Sequence, residues 1–323
     1  MKPDVVAAFA TDHKFRYYTG VALHTLAEHA SAETRYEILI LADSPTPEDK
    51  AFFARILAGK ANFSLRVLEM REKIAELGEK NFYTGSYSIA NYYRLFLHEM
   101  LPEYGRVLYL DSDIVVQADV RELFETDLCG FALGAMKDFG PTRLKQYAYI
   151  RNTLKLERPG GYFNSGVLLM DLEKLRSSEF SRQVRENISS GLSFKWVDQD
   201  VLNRIFDGRI RYLDPAWNYM ALPGKHPERK KILHFPGVKP WFSETNPAAA
   251  PWWDAAGKTF FVQDMKKEVY ASPERIKFLE DRESAYYAVL HSTCWFITAP
   301  MRWIIDTVKL SKELLKAVIS GRN

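Results

Sequence analysis

Between residues 5 and 68, apolar segments of strand length alternate with segments of helical period, and this alternation most limits the fold. Val5 to Ala10 is apolar throughout and predicts a buried strand, and Tyr17 to Ala30 predicts a helix. Tyr36 to Leu41 predicts a second strand, and Phe63 to Leu68 a third. Between them, Pro45 opens a helix with Glu48 and Asp49 in its first turn, where carboxylates suit the helix dipole. Its Phe52, Phe53, Ile56 and Leu57 share one face. A βαβαβ order implies an α/β chain with a parallel sheet covered by helices. Ligands of such sheets bind beyond the carboxyl ends of the strands.

Against that frame the run Val107-Leu108-Tyr109-Leu110-Asp111-Ser112-Asp113-Ile114-Val115-Val116 stands out. A strand rises through apolar surroundings, delivers two carboxylates one residue apart, and turns apolar again. Burying two unpaired carboxylates is costly, so a cation or a raised pKa is expected. Hard oxygen ligands suit Mg²⁺ or Mn²⁺. Asp12 follows the first strand as the acidic pair follows its own, so one cleft can hold all three. Phosphatases with an aspartyl nucleophile also carry Asp-x-Asp after a strand, but continue Gly-Thr where this chain has Ile114-Val115.

Further along, Ser88 to Leu101 predicts a helix, Phe131 to Ala135 and Val167 to Met170 strands, and Phe180 to Ile188 a helix. Asn164-Ser165-Gly166 has the composition of a tight turn, and Asp198-Gln199 that of a helix start. Lys231 to His234 is a short strand ending in a histidine, followed by Phe235-Pro236-Gly237-Val238-Lys239-Pro240-Trp241. Gly237 permits close backbone approach, Lys239 supplies a cation, and Pro240 stiffens the turn. A metal ligand beside a lysine suits a bound diphosphate, with cations on both sides of the anion. Asn246 to Pro251 has the composition of a boundary loop, which divides the chain into a catalytic domain, 1–250, and a C-terminal helical extension, 251–323.

The 44 basic and 41 acidic residues leave a net charge of +3, unlike the strongly basic domains that bind nucleic acid. Cys129 and Cys294 have no metal-ligand spacing and are expected as buried or neutral thiols in a reducing compartment. The apolar run from Val5 is too short for a signal peptide, so a cytoplasmic location is expected. Residues 284 to 301 carry no Asp, Glu, Lys or Arg but hold Tyr286, Tyr287, Trp295 and Phe296. After them, Trp303, Ile304, Thr307, Val308, Leu310, Leu314, Leu315, Val318 and Ile319 share one half of a helix. Arg302, Asp306, Lys309, Lys312, Glu313 and Lys316 share the other, with Ile305 alone on the wrong side. A Trp-bearing apolar face opposed by basic residues suits a helix lying in a membrane surface, on the inner face of the plasma membrane. Packing on the catalytic domain is the other use of such a face.

Taken together, these motifs resemble glycosyltransferase family 8, the retaining enzymes of GT-A fold, over roughly residues 4 to 241. The matching motifs are Phe9-Ala10-Thr11-Asp12, Tyr93-Arg94-Leu95, Leu108 to Asp113, Tyr162 to Leu169, Asp198 to Asn203, and His234 to Trp241. The resemblance implies a Rossmann-like nucleotide-diphospho-sugar transferase domain followed by the helical extension. It implies that Asp111, Asp113 and His234 hold Mn²⁺, with Mg²⁺ as the alternative, and that a UDP diphosphate completes the coordination. Ala10, Asp12, Phe15, Ser112, Gly237 and Lys239 would bind the nucleotide, with Asp12 at the uracil edge and Phe15 stacked on the ring. Arg94, Asn164, Ser165, Gly166 and Asp198 would line the donor sugar, and Gln199 would lie near its anomeric carbon. Asp198 and Gln199 are thus the implied catalytic residues, and Asp138 is a candidate for the acceptor side. By its residue type alone, Arg94 would be a helix-surface ion pair. Lys14 stands where the family often has Asn, and only Val238 separates Gly237 from Lys239 where the family often has two residues.

The implied reaction moves galactose or glucose from a UDP-sugar to a glycan, such as a lipopolysaccharide core or another lipid-linked acceptor, with retention. Two alternatives stay open: a metal-dependent phosphatase or nucleotidase built on the same acidic strand end, and a non-catalytic nucleotide-sugar-binding protein.

Overall fold

The computed structural model of the chain describes residues 2–82, 87–138, 144–220, 229–237, 239–242 and 249–290. Seven strands form the main sheet: β1 Val5–Ala10, β2 Tyr36–Ala42, β3 Phe63–Glu69, β4 Arg106–Leu110, β6 Leu133–Lys137, β7 Phe163–Asp171 and β8 Arg211–Tyr212. Their order is β3-β2-β1-β4-β7-β6-β8. Strands β5 Ile114–Val116, β9 Tyr219–Met220 and β10 Ile232–His234 form a second, small sheet in the order β5-β10-β9.

The first three strands and β4 run parallel, as the βαβαβ reading requires. All six residues of β1 are buried, the signature of a strand covered on both faces. The helix Arg16–His29 follows β1, and Pro47–Ile56 follows β2. The second begins two residues later than its leading proline suggests, because Thr46 and Asp49 close a reciprocal capping box at its start. From β1 the chain builds outward to β2 and β3 and then returns to place β4 on the other side. The gap between β1 and β4 is therefore a topological switch point, where parallel sheets open a crevice. Ser112 closes the base of that crevice: its hydroxyl donates to the Ala10 carbonyl at 3.1 Å and meets Thr19 Oγ1 at 2.7 Å.

Three expectations change. Ile89–Phe96 is 3-10 helix, and only Leu97–Met100 is α-helical. Tyr92 to Phe96 are all buried, so no solvent face favours an α-helical period, and the three-residue repeat puts Asn91 and Arg94 on one side. Asn164-Ser165-Gly166 is not a turn but part of the buried strand β7. The sheet accommodates these polar residues by a register shift: Ala135 and Met136 of β6 pair with Leu168 and Asn164, so Ser165 to Val167 form a bulge in β7. Cys129 is exposed rather than buried, in a turn at φ +50° where Asp127 Oδ1 accepts its N–H at 2.8 Å. Cys294 lies outside the described residues.

Compact packing groups Met1–Val262 as one unit, and a second begins at Gln263. The helix Ala250–Gly257 belongs to the first unit and buries Trp252 in it. In the second, the helix Pro273–Leu290 enters the charge-free stretch. Residues 246–248 of the 246–251 segment and all of the amphipathic 302–323 segment lie outside the described residues. Among the described residues no helix is long and apolar enough to cross a membrane.

Candidate active site and metal centre

A cleft of about 610 Å³ opens at the switch point between β1 and β4. Asp12 enters it from the end of β1, Asp111 from the end of β4, and Asp113 from the start of β5. His234 comes from 121 residues beyond Asp113, and only the small sheet explains its arrival. β10 runs antiparallel to β5 and pairs His234 with Ile114, next to Asp113. His234 Nε2 lies 3.3 Å from Asp113 Oδ1 and 3.7 Å from Asp111 Oδ2. One ligand atom from each of the three residues falls within 4.8 Å of the others.

Two basic side chains flank this acidic pair. Lys239 Nζ donates to Asp113 Oδ2 at 2.5 Å. Burial alone would push the Asp113 carboxyl up, but Lys239 and His234 outweigh it and hold it well below the usual carboxylate range. Arg94 lies 2.8 Å from Asp111 Oδ1 and 3.1 Å from Asp198 Oδ2, with its guanidinium 4.1 Å from the Tyr109 ring. It is fully buried rather than on a helix surface, and it ties the end of β4 to the helix Val197–Ile205. Burial opposes its charge, yet the two carboxylates hold the proton firmly.

The bulged segment of β7 and the Val197–Ile205 helix form the opposite wall. Ser165 donates its backbone N–H to Gln199 Oε1 at 3.0 Å and its hydroxyl to Asp198 Oδ2 at 3.0 Å. Asn164 Nδ2 donates to Gln199 Oε1 at 3.1 Å, and Gln199 Nε2 donates to Asp138 Oδ2 at 3.2 Å. Asp198 and Gln199 start their helix as expected, after Val197 at φ +28°, an uncommon backbone for a β-branched residue. Burial pushes the Asp198 carboxyl up to about 7, against the pull of Arg94.

That shift has a consequence for stability. The folded protein keeps a proton on Asp198 that the unfolded chain releases near pH 3.8, the ordinary value for an aspartate. Folding takes up that proton between the two values, so Asp198 costs stability progressively as pH rises from about 4 to about 7 and no further above. Relative to wild type, Asp198→Asn is expected to gain stability across this window and then level off. Urea melts of both proteins at a series of pH values check this, and parallel pH profiles would refute it.

Asp12, Phe15, Ala10, Ser112, Gly237, Lys239, Arg94, Asn164, Ser165, Asp138, Asp198 and Gln199 all line the same cleft as the three candidate ligands. Phe15 packs edge-on against Trp241 with ring centres 5.9 Å apart, and Trp241 stacks on Tyr18 at 3.7 Å. Val238 lies outside the described residues. Gly166 alone among the expected site residues lies behind the cleft rather than on its lining. A Cβ at that position would sit 2.3 Å from His234 Cε1 and 2.7 Å from Asp111 Oδ2. Its missing side chain is the space in which the imidazole and the carboxylate approach each other.

This donor set fits a divalent ion. Two carboxylates and an imidazole converge on one point, on a base that leaves no room for a β-carbon, and their facing oxygens need a cation between them. One residue was invisible to the sequence reading: Asn218, whose Oδ1 lies 2.7 Å from His234 Nδ1. Its only signal in the sequence is an amide side chain set between two aromatic residues, Trp217 and Tyr219.

The sequence profile described as Glycosyl transferase family 8 matches residues 6–245. Glycosyltransferase GlyB of Streptococcus pneumoniae serotype 4 is 29% identical over 185 residues, which cover 51% of this chain and 42% of that protein. The lipopolysaccharide 1,2-glucosyltransferase of Escherichia coli K12 is 31% identical over 174 residues, covering 49% of this chain and 51% of that protein. The chain thus spans about half the length of these curated relatives. Among solved structures, the galactosyltransferase LgtC in complex with donor and acceptor sugar analogs superposes with a TM-score of 0.66 at 25% identity. That alignment covers 79% of this chain and 96% of LgtC. The likeness shows the GT-A fold that the motifs implied.

Proposed function

The chain belongs to glycosyltransferase family 8, and we propose that it is a metal-dependent, retaining enzyme that moves galactose or glucose from a UDP-sugar to a glycan acceptor. The observation that carries this reading is the convergence of Asp111, Asp113 and His234 at the floor of a cleft that Lys239 also lines. These three side chains would hold Mn²⁺ or Mg²⁺. When bound, the ion supplies positive charge to a departing diphosphate, the electrostatic help that breaking a sugar–phosphate bond requires.

The remaining work falls to the chain's own residues. Lys239, now 2.5 Å from Asp113, is placed to turn toward the diphosphate and stabilise the charge it gains. Asp12 and Phe15 would hold the uracil, with Ala10, Ser112 and Gly237 shaping the nucleotide end of the cleft. Arg94, Asn164, Ser165 and Asp198 would orient the sugar hydroxyls, with Gly166 behind them. The sugar becomes oxocarbenium-like as it leaves, and nearby amide and carboxylate oxygens stabilise it. Gln199 Oε1 already accepts two hydrogen bonds, from Ser165 N–H and Asn164 Nδ2, so it is poorly poised as a nucleophile. This favours attack by the acceptor hydroxyl from the face that UDP leaves. The new C1–O bond forms as the C1–O(phosphate) bond breaks, and the hydroxyl proton passes to a diphosphate oxygen. Asp138 would face the acceptor.

The relatives described as a lipopolysaccharide glucosyltransferase and a galactosyltransferase support glucose or galactose as the sugar. The first also supports a lipopolysaccharide core or other lipid-linked glycan as acceptor. The basic, Trp-bearing segment 302–323 would then seat the enzyme peripherally on the inner face of the plasma membrane, from the cytoplasm.

A screen of UDP-sugars for Mn²⁺-dependent hydrolysis without acceptor, followed by acceptor trials with the best donor, tests the reading. Slow hydrolysis of UDP-galactose or UDP-glucose that EDTA stops is the expected result. Release of phosphate from simple monoesters would favour the phosphatase alternative. Tight UDP-sugar binding with no turnover on any acceptor would favour a binding protein. A β-linked product from an α-linked donor, seen by NMR, would overturn retention.

A further inference from the structure

Asn218 ends the short 3-10 helix Pro215–Asn218, which Asp214 caps by accepting the Ala216 N–H at 2.9 Å. It is buried, and the adjoining Tyr219–Met220 strand runs parallel to β10, with Met220 paired to His234. The backbone thus fixes the Asn218 amide against the imidazole.

The orientation of every group in this chain of contacts follows from one unambiguous donor. The Gly166 backbone N–H donates to an Asn164 side-chain atom at 2.9 Å, so that atom is the amide oxygen, Oδ1. Asn218 approaches the same oxygen at 2.8 Å and must do so with its NH₂. Its own oxygen is then the atom 2.7 Å from His234 Nδ1, and Nδ1 must carry the proton. In that tautomer Nε2 has its lone pair, and Nε2 is the nitrogen that faces Asp111 and Asp113. We propose that Asn218 is a positioning residue for the metal site. Through the relay from Gly166 and Asn164 it holds His234 in the Nδ1–H tautomer and aims Nε2 at the ion. Partners that orient a ligating histidine in this way commonly govern its affinity for the metal. The relay also joins the ion's ligand to Asn164 in the wall opposite, so both depend on one set of amides. The proposal rests on the metal reading given above.

Two measurements test it. The first is ¹⁵N NMR of histidine-labelled wild-type protein, metal-free at alkaline pH and again with saturating Mg²⁺, with the His234 signals assigned by their loss in His234→Gln. Protonation on Nδ1 in both samples is expected; protonation on Nε2 in the metal-free protein overturns the proposal, whether or not any Asn218 variant folds. The second is Mn²⁺ binding by electron paramagnetic resonance. Asn218→Ala is expected to bind roughly 10–100-fold more weakly than wild type. Asn218→Asp, which keeps an oxygen toward Nδ1 but gives up the NH₂ that Asn164 Oδ1 accepts, should recover part of that affinity. Equal binding by wild type and Asn218→Ala overturns the proposal while leaving the metal site standing. Failure of wild type to bind Mn²⁺ overturns the metal reading itself, and the NMR result still decides the tautomer.

Discussion

Asp113→Ala is expected to abolish turnover and metal-dependent UDP binding together. A residue that only orients a ligand costs roughly 10–100-fold in affinity or activity when removed, and a ligand should cost more than that ceiling. Asp113 is nearly buried, and its two oxygens face His234 and Lys239, one each. No other carboxylate bridges those two groups among the described contacts. The fold should survive, because Lys239 is partly exposed and can turn its ammonium to water once its partner is gone. His234 keeps Asp111 nearby at 3.7 Å. Isothermal titration of UDP with and without Mn²⁺, alongside a thermal melt, separates the two effects. Full activity in a folded Asp113→Ala protein would remove the metal centre from the proposal.

Gly166→Ala should be nearly as damaging, although it adds a single methyl group. Its φ is not in the left-handed region, so the backbone itself accepts alanine. The obstacle is the space above it. A Cβ would meet His234 Cε1 at 2.3 Å and Asp111 Oδ2 at 2.7 Å, and neither can simply move aside. His234 is held by Asn218, and Asp111 by Arg94 and Tyr109. Overpacking of this kind typically costs about 1–3 kcal/mol of stability. A misplacement of order 1 Å at a reacting site can cost about a hundredfold in rate. The expected variant is a folded, somewhat less stable protein with weakened Mn²⁺ binding and activity down by about two orders of magnitude. Wild-type metal affinity in Gly166→Ala would show that the ligands reach their ion by another path.

Several features were legible in the sequence because they are local. An apolar run followed by acid places Asp111 and Asp113 at a strand end whatever the rest of the chain does. The alternation from Val5 to Leu68 implies the parallel strands β1 to β3 that are observed. The helix that starts at Val197 follows from the acidic residues in its first turn. The resemblance to a family added the grouping of these motifs, including His234 with the aspartates. Residue type misled where burial reversed its usual meaning. Arg94 looks like a surface residue, but two buried carboxylates draw it inside. Asn164-Ser165-Gly166 looks like a turn, but a bulge within the strand itself lets a buried strand carry it.

The amino-acid order alone set which segments become strands and helices and which strand ends carry acid, because side-chain periodicity acts over a few residues. Tertiary structure alone decided how His234 meets Asp113, through a β5–β10 pairing across more than a hundred residues. It also decided that Gly166 is the gap beneath the ligands and that Asn218 sets the tautomer of one of them. Such contacts depend on which distant surfaces pack together, and no local period records that choice.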